Sequence, residues 1–363
     1  MRRRRIALGA FLIALAISSS LYVTMGLQAY GRYRALYGAY ALACDGLLAW
    51  NPPTDLFLGM YPNQSAFMAL SVRSATPALA TVTLSAPGFL AAQSQETQSD
   101  STFRSLSFKP PLMSPQSRAP LPAAGRTSAT LQVTATVSGH GACQFSSPLN
   151  VYSREWIRWR DPVTGADDTP YIAGWVTPQA SVINELVGKA SARMRNHPEL
   201  YDSLPAFFGY NEGQATADQV MDQVDAVFDT LQNTYHLRYS AENAPYTTGA
   251  IQVVRTPSEV LSSPTPVGMC VETSVILAAA VERLGMRAYI VFTASHAYLG
   301  VALTDAPGAP MAYWETSDLN AGALGAQANA HGDAEHASDQ AAKAIKTVVD
   351  VTSERGKGVN PIA

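Results

Sequence analysis

The hydrophobic pattern changes period partway along this chain, and that change limits the fold more than any other feature. Between residues 55 and 158, short β-prone runs (Ala66 to Val72, Ala80 to Leu84, Ser128 to Val137) are separated by Pro, Gly and Ser clusters. Short strands at that spacing, with no helical periodicity between them, predict an antiparallel β-sandwich, immunoglobulin-like in general shape. In residues 159–363 the helical period takes over. Pro178 to Arg195 and Thr216 to Thr234 carry apolar residues three and four apart, Val220, Val224, Val227, Phe228 and Leu231 in the second, so each should bury one face. Thr256-Pro257-Ser258-Glu259 supplies an N-cap, a proline at the first helical position and a glutamate two further on, the start of a short helix. Met269 to Leu284 reads as an apolar helix closed by Gly285, followed by three β-like runs, Arg287 to Thr293, His296 to Leu303 and Met311 to Ser317. Helix followed by meander predicts an α+β domain. Ala321 to His336 is rich in Ala, Gly and His without a period; it is predicted as a surface loop, ahead of a last helix and a short strand over Thr347 to Val351. A length of 363 residues accommodates about two such domains.

The N-terminus adds a further expectation. Arg2, Arg3, Arg4 and Arg5 precede an apolar stretch from Ile6 to Leu27, broken only by Ser18, Ser19, Ser20 and Thr24. Residues 1–30 are therefore predicted as a transmembrane helix with the arginines cytoplasmic, joined by a connecting segment, 31–54, to a periplasmic body. A cleaved signal peptide is the competing reading, and both export the body. The expected setting is a single-pass inner-membrane protein, with the membrane as one partner and an envelope protein as a candidate second. Export permits disulfides, and Cys44 and Cys143 flank the β region as a candidate pair; two separate buried thiols are the ordinary alternative. The formal charge of −3 provides no general field for phosphates, so no nucleic-acid partner is expected. Three cysteines without a Cys-x-x-Cys pair exclude a zinc knuckle. His331, Asp333, Glu335 and His336 have soft spacing for a metal site, so neither metal nor cofactor is expected.

The chemistry concentrates near Cys270. It follows Pro264, Pro266 and Gly268 and stands at the first turn of the apolar helix, where free N–H groups and the helix dipole favour a thiolate. A nucleophilic cysteine also needs an imidazole, and the imidazole a group to orient it. His296 opens the strand after Ala294-Ser295, and Glu315 lies on the next predicted strand, with Asp318 as the alternative acid. Antiparallel pairing can bring acid and imidazole together. Gln252 is the side-chain candidate for an oxyanion donor. Each also has an ordinary structural reading: a small core cysteine, a hydrogen-bonded histidine, a solvated glutamate.

The order of helix-borne Cys, strand-borne His and strand-borne acid resembles the transglutaminase-like superfamily, a circularly rearranged relative of papain, and a bacterial branch of it most closely. The segments carrying the resemblance are Gln252 to Leu261, Gly268-Met269-Cys270-Val271-Glu272, Ser295-His296-Ala297-Tyr298-Leu299-Gly300-Val301 and Trp314-Glu315-Thr316. Upstream it reaches Ala173-Gly174-Trp175-Val176-Thr177-Pro178, and downstream Val349-Asp350-Val351 with Pro361. Ser295 replaces the usual Gly, Glu272 a common Asp, and Glu315 the typical Asp. The resemblance implies a multidomain protein with a transmembrane helix, a β-sandwich and an α+β transglutaminase-like (papain-like) domain. It further implies a Cys270-His296-Glu315 catalytic triad that forms an acyl-enzyme on amide bonds of a protein or peptide substrate. Hydrolysis, as in a cysteine protease or amidase, is expected ahead of transfer to an amine. A catalytically silent envelope scaffold that binds through its β-sandwich is the alternative.

Overall fold

Residues 41–43, 48–139, 141–201, 204, 206–241, 246, 249–320 and 322–362 are described by a computed structural model. They fall into two compact units: one of residues up to 54, 65–119 and 128–149, the other of residues 55–64, 120–127 and 150–363. Strands in the first half of the chain are β1 (Ala41–Ala43), β2 (Leu48–Trp50), β3 (Asp55–Phe57), β4 (Met68–Val72), β5 (Ala78–Ala86), β6 (Leu90–Ser99), β7 (Arg104–Phe108), β8 (Arg126–Val137) and β9 (Gly141–Tyr152). In the first unit β1, β2, β4 and β7 make one antiparallel sheet, and β9, β8, β5 and β6 lie side by side in another. Period-two alternation buries Ala80, Val82 and Leu84 of β5 and Leu131, Val133, Ala135 and Val137 of β8. The Trp50 ring meets Phe145 edge-on at 4.4 Å and joins the two layers. β6 carries Gln93, Gln95 and Glu96 along its middle and has no hydrophobic signature. Its place is set by pairing, Val82 opposite Gln95, and by a 2.7 Å hydroxyl contact between Thr83 and Ser94.

The second unit is mixed α/β. In chain order it adds β10 (Trp156–Arg158), α1 (Ser181–Asn196), α2 (Ala217–Asn233), β11 (Arg238–Tyr239), β12 (Ile251–Val253), α3 (Pro257–Leu261), β13 (Val267–Gly268), α4 (Cys270–Arg283), β14 (Ala288–Phe292), β15 (Ala297–Ala302), β16 (Met311–Trp314), α5 (Gly325–Ala341), β17 (Thr347–Asp350) and α6 (Val351–Gly356). The main sheet runs β16-β15-β14-β17, antiparallel throughout. Against it packs α4, whose residues from Cys270 to Val281 are all buried. Such a helix has no polar face because neighbours surround it: β14 and β15 on one side, with α1, α2 and α3 also in contact. Ile183, Leu186 and Ala190 of α1 and Val224, Val227, Phe228 and Leu231 of α2 join the same core. Each buried side chain of Val, Leu or Phe size contributes about 1.5–3 kcal/mol, so α4, with Val271, Val275, Ile276, Leu277 and Val281 buried, is strongly held. The Thr256 cap forms as the sequence predicts: the Glu259 carboxylate accepts the Thr256 N–H at 2.7 Å, and Thr256 Oγ1 accepts the Glu259 N–H at 3.4 Å.

Three expectations change. The predicted loop over 321–336 is largely helix, α5, which buries Gly325, Ala328 and Gly332 on one face. A small-residue face yields almost no hydrophobic periodicity, yet it lets backbones approach closely. A Cβ on Gly332 would stand 2.5 Å from the Tyr313 carbonyl oxygen, and one on Gly325 would stand 2.5 Å from Asp225 Cα. The strand predicted over Met311 to Ser317 ends at Trp314, and Glu315 caps a 3-10 turn over Thr316–Leu319. Lastly, residues 1–30, assigned above to a transmembrane helix, lie outside the described residues, and among the described residues no helix is long and apolar enough to cross a membrane. The membrane-anchored fold class, the inner-membrane and periplasmic placement, and the membrane and envelope partners therefore have no support here and are withdrawn.

The close approach of α5 predicts opposite signs for one substitution. Gly188 in α1 has open space around its Cβ position, so Gly188→Ala should stabilise by about 0.5–1 kcal/mol. Gly332→Ala should instead destabilise by roughly 1–3 kcal/mol, through overpacking against backbone. Urea denaturation midpoints of the two variants against the parent protein check both signs.

Candidate functional site

The site is built on the first turn of α4. Parallel pairing of β11 with β13 places Gly268 opposite Tyr239, and extended Met269 then caps the helix. Glu272, in the first helical turn, is fully buried. Its Oε2 accepts the Met269 N–H at 3.1 Å and Arg255 Nη2 at 2.7 Å, while Oε1 accepts the Arg255 backbone N–H and Nε, both at 2.9 Å. The Arg255 guanidinium also donates to the Val267 carbonyl at 2.7 Å. A carboxylate at a helix N-terminus satisfies otherwise open N–H groups and the dipole; here it also fixes the chain entering the helix at Cys270.

His296 comes from the β14–β15 hairpin. Phe292 pairs with Ala297, and the intervening loop closes through Thr293 N–H to the His296 carbonyl at 2.9 Å and His296 N–H to Thr293 Oγ1 at 3.1 Å. That places the imidazole at the end of the two central strands of the sheet. Glu315 divides its two oxygens: Oε1 accepts the Ser317 N–H at 2.8 Å, and Oε2 lies 2.9 Å from His296 Nε2. Its own N–H donates to the Ala328 carbonyl of α5 at 3.0 Å. With Nε2 on the carboxylate, Nδ1 is the ring nitrogen left for another partner.

That partner is the buried free thiol of Cys270, whose ionised form His296 favours. The sulfur is also 3.3 Å from the Tyr246 hydroxyl. Burial alone would push the Cys270 thiol up, but hydrogen bonds from His296, Tyr246 and Ala297 and the imidazolium charge bring it below its ordinary 9.0. His296 responds in the opposite sense. Burial disfavours its charged form, yet the bonds to Cys270 and Glu315 outweigh burial and push it up to about 10. Glu315 is held below the usual carboxylate range: burial opposes this, but the hydrogen bond and charge of His296 prevail. The shifts thus favour a thiolate beside an imidazolium, with a carboxylate on the far ring nitrogen, over what each group would show alone.

The other residues singled out from sequence fall in different places. Gln252 on β12 comes near the nucleophile: its Nε2 is 3.3 Å from Met269 Sδ, and its Oε1 accepts Trp159 Nε1 at 3.1 Å. Asp318 faces away, its Oδ2 2.7 Å from His331 Nδ1. Cys143 is disulfide-bonded, whereas Cys44 lies outside the described residues. Among the described residues no group of three or more His, Cys, Asp or Glu side chains is arranged to hold a metal ion.

Three contributors carry no signal in sequence spacing. Tyr246 packs edge-on against Trp159 at 4.8 Å and Phe292 at 5.0 Å, which aims its hydroxyl at the sulfur. Arg255 stands 17 residues from the carboxylate it pairs with. Asp225 on α2 accepts Trp314 Nε1 at 2.7 Å and so holds the residue next to Glu315; burial pushes its carboxyl up to about 8.

No protein-family model matches this chain, and no curated protein matches it. The resemblance to the transglutaminase-like superfamily therefore stands on short segments alone and does not identify a family. The exported, membrane-anchored cysteine protease or transglutaminase that it implied, with its catalytic triad, is withdrawn with the family assignment. What remains is the geometry of named side chains.

The opposed shifts on Cys270 and His296 predict a pH signature. Alkylation by iodoacetamide, which requires the thiolate, should rise with an inflection below pH 9.0 and then level off. In His296→Ala, burial acts without its main opponent, and the inflection should move to higher pH. Alkylation rates across pH 5 to 10, with the modified peptide identified by mass spectrometry, measure both.

Proposed function

We propose that the second unit is an acyl-transfer centre in which Cys270 is the nucleophile. The observation that carries this reading is the 2.9 Å contact of Glu315 Oε2 with His296 Nε2, together with the opposed shifts that couple the imidazole to the Cys270 thiol. A redox or purely structural cysteine needs no oriented imidazole, whereas a nucleophile that must return a proton does.

The reaction follows from the charges. The thiolate attacks the carbonyl carbon of an activated ester or thioester, forming a C–S bond while the carbonyl π pair moves to oxygen. Collapse of the tetrahedral adduct expels the leaving group, which takes the proton from His296 Nδ1 and leaves a thioester on Cys270. The neutral imidazole then removes a proton from the acceptor, water or an amine, as the acceptor attacks the thioester. Collapse of the second adduct breaks the C–S bond and restores thiolate and imidazolium. Glu315 keeps the ring in the productive tautomer and stabilises its charge.

The test is acetylation by p-nitrophenyl acetate. The unaltered protein should release nitrophenolate with a burst and carry an acetyl group on the Cys270 peptide, and Cys270→Ala should do neither. His296→Ala should slow acylation by roughly 10²–10⁴-fold, and Glu315→Gln by a smaller factor. Acetylation of Cys270→Ala at the parent rate would sink the proposal.

A further inference from the structure

We propose that the Tyr246 hydroxyl is a catalytic donor that stabilises the oxyanion formed when Cys270 attacks a carbonyl. This inference rests on the reading of Cys270 as an acyl-accepting nucleophile and assigns that site a residue which its Cys, His and Glu contacts do not include. The hydroxyl already lies 3.3 Å from the sulfur. Edge contacts with Trp159 and Phe292 hold the ring, and the Tyr246 N–H, donating to the Ala294 carbonyl at 3.2 Å, ties its backbone to the loop that carries His296. Hydroxyl, sulfur and imidazole are thus fixed relative to one another before substrate arrives.

Tyr246 faces the Cys270 sulfur, and the charge it meets when that thiol ionises is the thiolate. As the C–S bond forms, that charge passes to the oxygen on the same carbon, which is separated from the sulfur by two bonds. A donor aimed at the first charge needs only a small shift to meet the second. Oxyanion stabilisation asks for this: a donor fixed in advance, about 2.7–3.1 Å from where the charge will develop. Two further observations favour the phenol. Burial and the negative charge of Cys270 both raise its pKa, so it keeps its proton throughout. The Gln252 amide nitrogen, the donor expected from sequence, is directed at Met269 Sδ instead.

Two electrophiles separate this role from its rivals, because p-nitrophenyl acetate passes through an oxyanion and iodoacetamide does not. Tyr246→Phe keeps both ring contacts and removes only the hydroxyl. At pH values on the alkylation plateau of each protein, acetylation of Cys270 should fall about 10²-fold while alkylation changes by less than about threefold. If both rates rise, the phenol shields the sulfur and the donor role is overturned. If both fall together, it only maintains the thiolate, and the donor role is again overturned. If the unaltered protein shows no acetylation dependent on Cys270 while iodoacetamide still labels that residue, the acyl-transfer reading fails and takes this inference with it.

Discussion

The Arg255–Glu272 ion pair is the constraint on which the site depends. A carboxylate with no solvent exposure is costly unless every oxygen is satisfied, and Glu272 achieves this with four donors: two from the Arg255 side chain, its backbone N–H and the Met269 N–H. The pair therefore does more than balance a charge. It joins the segment after β12 to the first turn of α4 and, through Val267, to β13. Those three segments bracket Cys270. Because α4 is buried on all sides, the sulfur cannot drift by tilting the helix, so the lone flexible element of the nucleophile is its own side chain.

Around that fixed sulfur the charges are arranged by burial and by neighbours acting in opposite directions. Desolvation opposes the ionised form of Cys270, His296 and Glu315 alike, and in each case hydrogen bonding to the next member overcomes it. The three groups favour one another's ionised forms. Asp225 shows the contrasting outcome: it is also buried and accepts one hydrogen bond from Trp314, but its charged neighbours are the like charges of Asp229 and Asp222, and its carboxyl rises to about 8. Proximity to an opposite charge, rather than depth, separates the two behaviours.

Much of the second unit is legible in its sequence because α2, α4 and the β14–β15 hairpin carry strong apolar patterns. Cys270, His296 and Glu315 can be named from residue type and order, and the folded chain brings them into contact. Glu315 lies past the end of its strand, at the cap of a turn, a distinction of one residue that pattern does not resolve. Where residues are small, as on the buried face of α5, or uniformly polar, as along β6, hydrophobic periodicity has nothing to register, and close backbone approach or strand pairing decides instead. Tyr246 and Arg255 act across the tertiary structure, where no spacing rule reaches them.

The hairpin that presents His296 bears on how the unit assembles. Imidazole and carboxylate are separated by only 19 residues of chain, and the nucleophile by only 24 from Tyr246. In contrast, the reciprocal hydrogen bonds between Asn63 and Asn360 tie together positions 297 apart. Closing a loop costs entropy that grows with the logarithm of its length, and local contacts form faster than distant ones. The reactive groups thus belong to the stretch of chain that can organise earliest, and the tie between its two extremes is the part that must wait.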